Sequence, residues 1–358
     1  MFGAGRSVDG VGGDFNIAEF AYAGLPMFMV ISGYFYKRGK GYIDNVKHRV
    51  IPVVITLIIS AVFLTSMMYG YLWILGYDLS GYDLSSDIIE IIIGKGCFGT
   101  IGSDGFSAGN VIAPYDISAG FYYMQILAVG LLIFYAIADR VLDDWRQSIV
   151  TVLVLFTVTF SYLTLINIQL PFSAQLGPIV AAFLLIGAML GKYNVAEYIE
   201  TGYHEVRYWV IFAVLMSIAV TFIVLFPSGM TLYNSNFGAH GSWSVFTFLV
   251  LSMSCGIVLW YIAAFLIRVP VVSWIFTFAG INSLILFTQH MFVAKLLSAP
   301  FAELGTDYWI TIDSLFARFT LLIGTLAVLF AVSYWIKRLT RTLTEEEMDE
   351  NVQPTIHY

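Results

Sequence analysis

Few residues in this 358-residue chain have side chains suited to chemistry, and most sit in or beside long apolar runs. His290 is the clearest, closing the string Asn282-Ser283-Leu-Ile-Leu-Phe-Thr-Gln289-His290 near the end of one such run. An imidazole titrates near neutrality, so it can take a proton, give one or donate a hydrogen bond. Ionisable groups at membrane depth are costly, which makes His290 a site candidate. The alternative is a histidine satisfied by Gln289, Ser283 or a backbone carbonyl. Gln125, with Tyr122 and Tyr123, opens another run. These polar groups suit a sugar hydroxyl, although tyrosines at that depth also serve as interfacial belt residues.

Lys47, His48 and Arg49, followed by Pro52, form the main basic cluster. They read either as a phosphate clamp for a donor such as coenzyme A, which arginine grips in a bidentate way, or as ordinary basic flanking of a span. Arg318, five residues beyond Asp313, either binds an anion or snorkels to the interface. His240 is a loop residue placed to face an acceptor sugar or simply solvent, and His204 and His357 read as surface residues. The chain has no H-x-x-x-H pair and no histidine with an aspartate five positions later, so no metal site is expected. Gly187-Ala-Met-Leu-Gly191-Lys192 resembles a phosphate loop but is one residue short, and reads as a small-xxx-small packing face. Cys97 and Cys255 are expected to be packed residues, not nucleophiles.

The elements that position these residues follow from composition. Hydrophobic residues make up 59% of the chain and charged residues 11%, with a mean hydropathy of +0.83. A soluble domain carries about 25% charged residues. The net charge of −7 and pI near 5.2 leave no basic footprint for nucleic acid. Nine runs are long enough to cross a bilayer as helices, at roughly 16–36, 50–74, 118–138, 147–166, 174–191, 207–226, 243–267, 271–296 and 313–336. They are too continuously apolar for barrel strands, so the expected fold is all-α, a polytopic transmembrane helical bundle. It occupies 16–341, preceded by a flexible Gly-rich segment at 1–15 and followed by an acidic tail at 342–358. The segment Asp87–Ile93 is too short to span and is expected to lie at the interface or fold back.

Basic residues set the orientation. Lys37, Arg38, Lys40, Lys47, Arg49, Arg140, Arg146, Lys192, Arg207, Arg268, Lys337, Arg338 and Arg341 fall in one set of alternate loops, against Arg6, Lys95, Lys295 and Arg318 in the other. The first set should face the cytoplasm, with the C-terminus. Nine spans then place the N-terminus outside, and a tenth helix upstream would return it inside.

Several segments together resemble the acyltransferase 3 family, integral membrane enzymes that O-acylate surface glycans. Leu25-Pro26-Met-Phe28-Met-Val-Ile31-Ser32-Gly33-Tyr34-Phe35 is similar to its "VPLFFMISGYF" helix, and Lys47-His48-Arg49-Val-Ile51-Pro52 to its "KR-x-x-R-I-x-x-P" loop. Phe121-Tyr-Tyr-Met-Gln125-Ile-Leu127 resembles "LWFL-x-x-L", with Tyr where Trp is usual. Phe183-Leu-Leu-Ile-Gly187-Ala-Met-Leu-Gly191-Lys192 is similar to "FLLGMLLGK", and Gly280-Ile-Asn-Ser283-Leu-Ile-Leu-Phe-Thr-Gln-His290 to "G-x-x-S-L-x-I-Y-x-x-H".

The resemblance implies a ten-helix fold and transfer of an acyl group, usually acetyl, from acetyl-CoA to a hydroxyl of a surface polysaccharide or glycolipid in the cell membrane. It implies Arg49, His48 and Lys47 where donor phosphates arrive, and His290 and Gln125 in a polar acceptor site. The family's first helix carries a basic residue and a histidine taken to be catalytic. Neither has a counterpart here, so the chain is expected to be an N-terminally shortened version. A transporter or flippase shares the helix count, and a catalytically inactive relative shares the motifs. Both stay open.

Overall fold

The computed structural model describes residues 24–74, 84–93, 121–166, 170–225 and 244–270, with isolated positions at 76, 80, 273, 274, 277, 327, 331, 334, 335 and 338. Among the described residues there are helices and turns and no strands. The helices are α1 (Gly24–Tyr34), α2 (Tyr42–Asn45), α3 (Ile51–Ile74), α4 (Leu84–Ile93), α5 (Tyr122–Val141), α6 (Trp145–Leu165), α7 (Gly177–Lys192), α8 (Val195–Thr201), α9 (Val206–Leu225) and α10 (Ser244–Leu266). A π-helical turn, Val46–Val50, joins α2 to α3, and 3-10 turns at Pro171–Leu176 and Gly202–His204 lead into α7 and α9.

Five of these helical stretches are long and apolar enough to cross a membrane, or six if the bent pair Val195–His204 and Val206–Thr221 counts as one. They correspond to the second through seventh of the nine expected runs. The first run is described only from Gly24, and the last two only at isolated positions. Both expected flanks, 1–15 and 342–358, lie outside the described residues.

Local sequence accounts for the breaks. Pro52 has no N–H to offer the His48 carbonyl, and the chain widens into the π-helical turn immediately before it. Asp144 caps α6 by accepting from the Arg146 amide at 2.9 Å. Asn194, at φ 49°, opens α8 from the left-handed region that asparagine tolerates. The chain bends by 116° after α8, and that short, glutamate-bearing helix packs on α10 and α7. The segment around Asp87–Ile93 folds back as α4 against α3.

The centre of the bundle is α7, which packs on α1, α5 and α6. Buried residues make up 67% of its apolar window, against 28% for α6. Glycine permits the closest approaches. A Cβ on Gly33 of α1 would stand 1.9 Å from the Leu184 carbonyl oxygen, and one on Gly187 of α7 would stand 1.9 Å from that of Val30. Gly191 repeats the contact one turn on, 2.4 Å from the Tyr34 oxygen. The expected small-residue packing face on α7 is therefore present, with α1 as its partner. Cys255 is buried on α10 as a free thiol, as a packed residue should be, and Cys97 lies outside the described residues.

Candidate functional site

One end of the bundle collects the basic residues that close or open its helices. Lys192 at the end of α7 donates to the Leu142 and Asp143 carbonyls at 2.8 and 3.1 Å, capping α5. Arg268 stacks over Tyr203 at 4.0 Å and over Phe265 at 4.8 Å. Arg207 pairs with Glu205 and lies over Tyr198.

At this basic end a cavity of ≈ 390 Å³ opens between α1, α5 and the joined α2–α3 helix. That volume falls within the ~300–1,000 Å³ of ligand pockets. Three helical stripes line it. Phe28, Ile31, Ser32 and Phe35 come from α1 and the residue just past it, at spacings of three and four. Tyr123, Leu127, Leu131 and Tyr135 come from α5, each four residues from the last. Asn45, Arg49 and Val53 come from the α2–α3 junction, again four apart. On a helix such spacings share one face. Tyr123 and Tyr135 are twelve residues apart, so the cavity follows α5 for ~18 Å.

The chemistry of the lining changes along that length. Its mouth holds Lys37, Lys40 and Arg49, and its lining includes no carboxylate. Deeper, it is apolar with phenols. Phe28 meets Tyr123 edge to face, ring centroids 6.3 Å apart. The Ser32 hydroxyl donates to the Phe28 carbonyl at 2.8 Å, so it is spent on its own helix. Asn45, itself buried, donates its amide to the Lys40 carbonyl at 3.0 Å and holds that residue at the mouth. A chain of net charge −7 thus presents a locally cationic opening.

Of the basic cluster Lys47-His48-Arg49, Arg49 lines the cavity, while Lys47 and His48 are exposed and are not part of the lining. The other two cations at the mouth, Lys37 and Lys40, come from the α1–α2 loop. In the sequence they stand only as markers of orientation. Tyr123 stands beside Gln125 among the polar groups suited to a sugar hydroxyl, whereas Tyr135 and Asn45 are not among the candidates that the sequence offers. The four-residue spacing through Asn45, Arg49 and Val53 was the available signal.

Gln125 is fully buried, but away from this cavity. Its amide donates to the Ile91 carbonyl and, at 3.5 Å, to that of Ile92, fastening the last turn of α4 to α5. Its Oε1 has no partner among the described residues. Packed on α5 and α4, the 3-10 turn into α7 holds Phe172 and Ser173 at φ 57° and 51°, a strained pair for residues with side chains. His290, His240 and Arg318 lie outside the described residues. Among the described residues no three histidines, cysteines or carboxylates converge as metal ligands would.

No curated protein and no solved structure matches the chain. The model of the acyltransferase 3 family, an acyltransferase domain, matches residues 5–338. That span contains the SGY turn of α1, the basic turn before α3, the α5 stripe and the glycine face of α7 in a single helical membrane bundle. The chain belongs to the acyltransferase 3 family, and is a membrane acyltransferase.

Proposed function

We propose that this protein transfers an acyl group, acetyl in the first instance, from acyl-CoA to a hydroxyl of a surface polysaccharide or glycolipid. The donor enters from the basic end, which faces the cytoplasm together with the C-terminus, and the protein resides in the cell membrane. The observation that carries this reading is the cationic mouth of Lys37, Lys40 and Arg49 on a cavity that continues ~18 Å along α5. Phosphates are held by arginine in a bidentate way and by lysine as a point charge. An apolar slot beyond them suits the extended arm that carries a thioester.

In the reaction the acceptor hydroxyl oxygen attacks the thioester carbonyl. A C–O bond forms, the C–S bond breaks, and the coenzyme thiol leaves with the proton the hydroxyl lost. A base must take that proton, and donors must hold the developing oxyanion. His290 is our candidate for the acceptor side, with Gln125, whose buried Oε1 is an acceptor not used by the described residues. Arg49 binds the donor, aided by Lys47 and His48 as polar groups just outside the cavity.

The test uses purified protein in lipid nanodiscs with radiolabelled acetyl-CoA and an envelope glycan fraction. We expect alkali-labile label on the glycan and free coenzyme A in equal amount, both reduced by Arg49→Ala. Folded protein that neither binds coenzyme A nor transfers label would overturn the proposal.

A further inference from the structure

The loop that brings Lys37 and Lys40 to the cavity is held from behind. Between α1 and α2 the chain turns through Phe35–Gly41, with Gly39 at φ +89°. Its side chains divide between two neighbours. Tyr36 and Arg38 reach the end of α5, while Lys37 and Lys40 line the cavity.

The Tyr36 hydroxyl donates to Asp139 Oδ1 at 2.7 Å, and its ring packs on Phe134 and Tyr135, centroids 5.0 and 5.9 Å away. Arg38 Nη1 donates to Asp143 Oδ1 at 2.6 Å. These two carboxylates stand within one loop of the cationic mouth. Left without partners, they would be drawn to Lys37 and Lys40 and would repel an anionic ligand. Among the described residues neither lysine is ion-paired.

We propose that Asp139 and Asp143, through Tyr36 and Arg38, are positioning residues that latch the α1–α2 loop to α5 and so aim Lys37 and Lys40 at the phosphates of the donor. This rests on the reading of the cavity as an acyl-CoA site. The latch does two jobs. It orders a loop whose lysines would otherwise sample many rotamers, a cost then met before the ligand arrives. It also occupies both acids with donors other than the lysines. The Tyr36 contact is the stronger of the two, because its ring is packed on α5. The Arg38–Asp143 pair is exposed, and pairs of that kind are weak and screened by salt.

The experiment measures coenzyme A binding by calorimetry, and KM and kcat for acetyl-CoA, on purified full chain in nanodiscs. Tyr36→Phe, Asp139→Ala and their double variant are compared with Lys37→Ala/Lys40→Ala. Tyr36→Phe keeps the ring on Phe134 and Tyr135, so it remains informative if Asp139→Ala fails to fold.

Either single latch variant should raise the coenzyme A Kd and the KM by roughly three- to tenfold, the range of one hydrogen bond, with kcat within about twofold. The double variant should be no worse than either single, since all three lose the same bond. Asp139→Glu should restore part of the affinity. If the wild type binds coenzyme A and the double lysine variant weakens binding while Tyr36→Phe and Asp139→Ala match the wild type, the latch is refuted and the donor site stands. A fall in kcat with unchanged KM would also refute it, as a merely structural defect. A wild type that binds no coenzyme A refutes the donor site itself.

Discussion

The two faces of α1 are built on opposite principles. One face is pressed against α7 until backbone meets backbone, with Gly33, Gly187 and Gly191 presenting no Cβ at the points of closest approach. The other carries Phe28, Ile31, Ser32 and Phe35 and stands back from α3 and α5, leaving the cavity between them. The difference shows how a membrane bundle keeps a hollow. Lipid supplies no hydrophobic force to press helices together, so close packing of small residues must fix a helix in place. With α1 fixed on α7, its far side is free to remain unfilled. α5 is held in the same way, since a Cβ on Gly130 would meet Val180 Cγ1 at 2.3 Å.

The contrast can be broken most severely on the packed face. Gly187→Val sets a branched side chain where even a Cβ would lie 1.9 Å from the Val30 oxygen. We expect loss of monodisperse protein by size-exclusion chromatography, or a destabilisation of about 3 kcal/mol or more in thermal melting. Enlarging the neighbouring residue on the other face should do something different. Ile31→Trp projects into the cavity, so it should leave the melting temperature near that of the wild type and abolish coenzyme A binding. A Trp variant that unfolds would show that the two faces are not independent.

Arg49→Ala tests the mouth alone. A charged hydrogen-bonding partner is lost without a change in helix packing, and the acetyl-CoA KM should rise about tenfold or more with the fold retained. The smallest effect is expected from Lys47→Ala and His48→Ala, whose side chains are exposed beside the cavity and do not line it. Each should shift KM by no more than about twofold, the scale of exposed, screened charge. A shift from His48→Ala as large as that from Arg49→Ala would place the phosphates outside the cavity.

Much of the architecture was legible from composition and local pattern. The apolar runs at 118–138, 147–166 and 243–267 became α5, α6 and α10 within a few residues, because a helix in lipid satisfies its backbone internally and needs only length and apolarity. Gly187 and Gly191 were legible as a packing face because they stand four residues apart. The short segment at Asp87–Ile93 was too brief to span, and it folds back as α4. The site was legible only in part. Arg49 stood out as an arginine at the head of a span, but Lys37 and Lys40 looked like ordinary flanking charge. Gln125 stood out as a polar group in an apolar run, but nothing in its neighbourhood of sequence reveals the α4 carbonyls that its amide holds.

The sequence by itself determined that this chain forms apolar helices, that most of its basic residues fall in one set of alternate loops, and which family's motifs it carries. Those properties depend on residue type and on spacings of a few positions, which the chain fixes before it folds. Tertiary structure alone decided which cations share a cavity, which face of α1 stays open, and that Tyr36 and Arg38 meet acids 103 and 105 residues away. Such contacts exist only once glycine-to-backbone packing has set the distances between helices, and no local periodicity records those distances.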